Sequence, residues 1–94
     1  MLLGQKIKEL RLENGVLQRQ LASFLEIDTP MFSKIERGDR RAKRIQVVQI
    51  ANYYNVDEKE LLTLWVADKV LDAFEDEEDL KWDAIKVAQS SISL

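Results

Sequence analysis

The chain contains no cysteine and no histidine, and its 94 residues include only one proline and three glycines. Without cysteine or histidine there can be no disulfide framework, no Cys/His zinc site and no Cys-His or Ser-His catalytic pair. An enzyme would need a clustered carboxylate site, yet the acids are spread along predicted helix faces or gathered in one run, Glu75-Asp76-Glu77-Glu78-Asp79. No metal-ligand spacing occurs and no cofactor is expected. So little proline and glycine leaves no flexible linker, and the length suits one mostly helical domain, or a small domain with an extension. No apolar run is long enough to span a bilayer, and MLLGQKIKELR lacks the core and cleavage site of a signal peptide, so a cytoplasmic protein with no membrane partner is expected.

The formal net charge is −3, but it is unevenly divided. Residues 1–44 carry ten Lys/Arg against six Asp/Glu, for +4, and residues 45–94 carry four against eleven, for −7. Exposed charges are screened beyond roughly 8 Å at physiological salt, so a polyanion would feel the basic half and little of the acidic one.

The apolar spacing is helical throughout. Leu3, Ile7 and Leu10 mark a first helix, stopped by Asn14-Gly15. From Gln18 to Gly38 the sequence QRQLASFLEIDTPMFSKIERG describes two short helices with a tight connection, the outline of a DNA-binding helix-turn-helix. Leu21 and Leu25 give one stripe, over about Gln18 to Leu25. Phe32 and Ile35 give the next, over about Thr29 to Arg37, with either Asp28 or Thr29 as its cap and Pro30 in a first turn that has no intrahelical N–H bond to lose. Ala22 falls where the two helices approach, so its small size is a packing requirement.

A fourth helix is read from Val47, Ile50, Ala51 and Tyr54, with Asn55 as a left-handed cap. Asp57 and Glu60 then start a fifth, in which ten of the fourteen residues from Leu61 to Phe74 are apolar. One stripe cannot hold so many, and a helix with two dry faces needs a second partner. Leu64, Trp65, Leu71 and Phe74 are therefore the candidates for intersubunit or adjoining core contacts. Leu80 to Ala88 reads as a sixth helix, the acidic run before it as a solvated turn, and Gln89 to Leu94 as a frayed tail.

From about Gly4 to Leu62 the chain resembles, without a gap, the Xre/Cro/C1 family of bacterial and phage repressors. The strongest marks are Gln18, Leu21-Ala22, Ser33-Lys34-Ile35-Glu36 and Arg37-Gly38. The resemblance implies an all-α fold: a lambda-repressor-like helix-turn-helix domain of about five helices at residues 1–62, with a helical, dimerising extension at 63–94. Three positions depart from the family pattern. Glu26 stands where glycine is usual in the turn, which costs roughly 1–2 kcal/mol if the backbone there is left-handed. Leu17 replaces the serine or threonine that caps the second helix, and Arg44 occupies a position that is commonly apolar.

Carried over by position, the base-facing set of the recognition helix is Asp28, Thr29, Pro30, Ser33 and Lys34. Lys34 can donate to guanine O6 and N7; its plainer reading is a solvated surface lysine. Gln18 and Arg19, at the start of the second helix, are candidate phosphate clamps. Arg37, Arg40, Arg41, Lys43 and Arg44 put five cations into RGDRRAKR, where the family's loop runs beside the phosphates, with Arg44 a candidate for the minor groove. Similarity to the family also implies an ion pair between Glu36 and Arg11.

The expected function is a sequence-specific regulator that binds double-stranded DNA as a homodimer on a pseudo-palindromic operator, as a repressor or autoregulator. Small relatives include restriction-modification controller proteins and phage repressors. The rival reading is an antitoxin whose acidic C-terminal helices bind a basic protein partner.

Overall fold

The computed structural model describes residues 1–93, which form six helices and no strand. They are α1 (Leu2–Glu13), α2 (Gln18–Phe24), α3 (Thr29–Arg37), α4 (Arg44–Tyr54), α5 (Glu58–Ala73) and α6 (Lys81–Ile92). The all-α expectation holds. The sixth helix corrects one detail: Gln89 to Ile92 are helical and continue α6, while Leu94 lies outside the described residues. The polar tail of that helix has no apolar period to mark it, yet nothing in Gln-Ser-Ser-Ile breaks a helix already nucleated.

Four successive helices end by one device. A residue in the left-handed region, Gly15, Glu26, Gly38 or Asn55, lets the following N–H reach back five residues. The bonds are Val16 to Arg11, Ile27 to Ala22, Asp39 to Lys34 and Val56 to Ala51, at 2.9 to 3.0 Å. The connections that follow are three to six residues long, so consecutive helices cross rather than run on. At φ 58° the Glu26 backbone sits in the region that glycine favours, which places the strain expected from the sequence in the turn of the helix-turn-helix.

Helix starts are set differently. Asp28 caps α3 by accepting from Met31 N–H at 2.7 Å, which decides between Asp28 and Thr29. Leu17 has no side-chain acceptor, so α2 keeps only the reciprocal bond, in which Leu17 N–H donates to Gln20 Oε1 at 2.7 Å. The start of α1 is capped from across the fold. Asp68 of α5, itself buried, accepts from Leu2 N–H at 2.9 Å and Leu3 N–H at 3.0 Å.

The core gathers Leu3, Ile7 and Leu10 of α1, Leu21 and Ala22 of α2, Phe32 and Ile35 of α3, Val47, Ile50 and Ala51 of α4, and Leu61 of α5. Burying each large side chain contributes about 1.5–3 kcal/mol. The fit is close where α1 meets α3: a β-carbon added at Gly4 would collide with the Glu36 carbonyl. The 62/63 position falls inside α5, whose Leu62, Leu64 and Trp65 all pack against this core. By contrast α6 has no buried residue and extends the molecule to 42 × 27 × 21 Å.

Two stability predictions follow from these caps. Glu26→Gly should raise stability by about 0.5–1 kcal/mol, the relief of left-handed strain less the extra entropy of an unfolded glycine, read as a higher urea midpoint at unchanged slope. Asp68→Ala leaves two helix-start N–H groups without an acceptor and should cost about 1–3 kcal/mol in the same titration. A change below a few tenths would remove Asp68 from the fold's supports.

Candidate nucleic-acid interface

The two helices of the motif are held by a buried polar network. Arg11 of α1 donates from Nε and Nη2 to the two carboxylate oxygens of Glu36 on α3, at 3.0 and 2.8 Å. Its Nη1 donates to the Val16 carbonyl at 3.1 Å, and Gln18 of α2 donates through Nε2 to Glu36 Oε1 at 3.2 Å. One carboxylate therefore ties three helices. The hydrogen bonds to Glu36 raise the Arg11 pKa above its ordinary value, against an opposing effect of burial, so the guanidinium stays charged at any pH the fold survives. Burial pushes the nearby Tyr54 phenol up as well, keeping it neutral beside this pair.

With its inner face fixed, α3 shows a defined outer one. Phe32, Ile35 and Glu36 are buried, which leaves Thr29, Ser33 and Arg37 on one row, four residues apart, and Pro30 and Lys34 on the next. Thr29, Pro30 and Lys34 are exposed and Ser33 is half-buried. Asp28 is exposed too, but its carboxylate is engaged in capping Met31, so its part in any base contact is secondary to holding the helix start. Gln18, Ser33 and Arg37 line one concavity together with Gln5 and Lys8 of α1. Gln5 and Lys8 were not singled out from the sequence. The available signal was the helical spacing of Lys8 and Arg11, since the pairing of Arg11 with Glu36 turns that face of α1 toward α3.

The five cations of RGDRRAKR separate into distinct environments. Arg37 bridges Ser33 Oγ at 2.9 Å and Asp39 Oδ2 at 3.0 Å, folded back along its own helix and loop. Arg41 forms an ion pair with Asp72 on α5. Arg40 and Arg41 border a small cleft against Trp65, Asp68 and Asp72, whereas Arg44, first residue of α4, borders a different one beside Glu58 and Lys59 of α5. Lys43 and Arg19 are exposed. The loop that carries these cations is itself anchored, because the Trp65 indole N–H donates to the Ala42 carbonyl at 2.8 Å. Lys69 lies over the same indole, 3.4 Å from the ring centre. Trp65 thus belongs to the loop's support, and Leu64 to the core; Leu71 is exposed and Phe74 half-buried.

A tight pair of short helices, the second with a buried apolar side and a polar outer row flanked by arginines and lysines, defines a DNA-binding helix-turn-helix protein. The chain belongs to the helix-turn-helix domain family, whose pattern it matches over residues 2–64. It is a DNA-binding regulator of transcription. Among solved structures, the clp gene regulator ClgR from Corynebacterium glutamicum has a similar fold, with a TM-score of 0.60 at 20% identity over 86% of this chain and 88% of that one. No curated protein matches it in sequence. No described helix is long and apolar enough to cross a membrane.

The unequal partners of the cations give a test. Arg40→Ala should lower the slope of log affinity against log salt by about 0.9, one phosphate contact, while Arg41→Ala should lower it by much less because Asp72 already neutralises that charge. Equal losses in a salt titration would show that DNA displaces Asp72 from Arg41.

Proposed function

We propose that two copies of this chain bind a pseudo-palindromic operator in cytoplasmic DNA and repress transcription, with its own gene among the targets. The observation that carries this reading is the outer row of α3: Thr29, Pro30, Ser33 and Lys34 project from a helix whose other face is locked into the core. Such a row fits the major groove, with Lys34 donating to guanine and Pro30 offering apolar contact to a thymine methyl. Gln18, Arg19, Arg40, Lys43 and Arg44 are assigned to the phosphates on either side, with Arg37 and Arg41 contributing only after leaving their present partners.

A single module contacts too few bases and phosphates for operator-grade affinity, and a two-fold dimer doubles both. The half-sites would then lie about 34–36 Å apart, one turn of DNA. The groups on this surface are those of binding, and no catalytic role is proposed for them. The acidic run and the unburied α6 also support the rival assignment to a basic protein partner; release of the DNA when such a partner is added would favour it.

Lys34→Ala, compared on an operator selected from random DNA and on scrambled sequence, tests the assignment of α3. The expected outcome is a loss of about 1–3 kcal/mol on the operator and little on the scrambled duplex. Equal losses on both would reassign Lys34 to the backbone.

A further inference from the structure

The chain exposes 6674 Å² of accessible surface, whereas a compact monomer of 10.9 kDa exposes about 5,600 Å². Its radius of gyration is 15.1 Å, against about 12 Å for a compact domain of this length. Both excesses trace to the C-terminal arm, since α6 has no fully buried residue and the buried core ends on α5. The surplus of about 1,100 Å² is comparable to the roughly 800 Å² per partner that a standard stable interface covers.

That surplus is apolar and shaped. Between α5 and α6 runs an open groove lined by Leu2, Val70, Leu71, Phe74, Trp82 and Ile85, in which the one charged side chain is Lys81. The opposite side of α6 presents a second apolar strip, Leu80, Ala84, Val87 and Ala88, in which the one charged side chain is Asp83. Trp82 and Val87 are 67% and 69% exposed. An apolar surface of this extent on a lone chain would be an aggregation hazard.

The geometry points to a reciprocal arm exchange between two copies: the outer strip of each α6 lies in the α5–α6 groove of the other. This inference rests on the dimer proposed above and specifies its surface. A second copy is the occupant whose features match, because it brings an apolar strip of the groove's own character and sets its Asp83 toward Lys81. Lys81 already bonds Glu78 of its own chain, which holds its ammonium at the groove's edge. A basic partner would instead meet Lys81 in the groove. The interface is isologous, as a closed dimer requires. It uses Val70, Leu71 and Trp82, and leaves Leu64 and Trp65 to their own domain.

Sedimentation equilibrium of the full chain and of Val87→Glu, Lys81→Glu and Asp83→Lys tests the arrangement, with helix content by circular dichroism as the control for folding. Val87→Glu should raise the dimer dissociation constant at least 100-fold. Lys81→Glu and Asp83→Lys should each weaken self-association about tenfold, since each sets like charges together at both contacts. An equimolar mixture of these two variants should restore the dimer, because both contacts then pair opposite charges. A wild-type dimer unaffected by Val87→Glu, or one weakened by the charge changes without rescue on mixing, overturns the exchange while leaving dimerisation intact. A wild-type chain that remains monomeric at 100 µM overturns the dimer itself.

Discussion

The carboxylate of Glu36 is the point on which the helix-turn-helix geometry depends. It is buried, so without partners its charge would be expensive, and it accepts from Arg11 twice and from Gln18 once. A bidentate guanidinium–carboxylate pair fixes distance and direction together, which apolar contacts do not. Because Arg11 lies on α1, Gln18 on α2 and Glu36 on α3, the network sets the angle at which α3 leaves the body of the protein. Removing Arg11 or Glu36 would leave a buried charge unmatched, so those two act as a unit, with Gln18 adding a third bond to the same carboxylate.

Around that network the chain is turned by left-handed residues. Two are glycine and one is asparagine, which tolerate that region well; Glu26 does not. Its strain sits in the connection between α2 and α3, where the bond from Ile27 N–H to the Ala22 carbonyl and the small side chain of Ala22 bring the two helices together. The turn is thus held by its surroundings rather than by its own preference. The strained residue is exposed, so its side chain meets no obstacle beyond its own backbone.

Helix α5 joins the two halves of the molecule. Its inner residues reach three parts of the DNA-binding domain: Asp68 caps α1, Trp65 holds the Ala42 carbonyl of the basic loop, and Asp72 pairs with Arg41. Its other side carries Val66, Val70 and Leu71 to solvent. A single rigid helix therefore links the surface available for association to the loop that lies beside the recognition helix. Any partner that fixes α5 also fixes that loop.

Much of this was legible in the sequence because it is written locally. The boundaries of α3, the left-handed stops at Gly15, Gly38 and Asn55, and the inward set of Leu21, Phe32 and Ile35 follow from spacings of three to five residues, which is what a helix encodes. The resemblance around Ser33 to Gly38 supplied the pairing of Arg11 with Glu36. The roles of Asp68 and Asp72 could not be read. Their partners lie 66 and 31 residues away, and an acidic residue on a mostly apolar helix has the same pattern whether it meets solvent, a helix start or an arginine. For the same reason RGDRRAKR reads as five equivalent cations, although the fold engages Arg37 and Arg41 with carboxylates. The sequence by itself determined which segments are helical, where they stop and which face of each is apolar. Only the tertiary structure decided which charges are already paired and which apolar face of α5 is covered, because those depend on contacts between helices whose crossing angles no local period records.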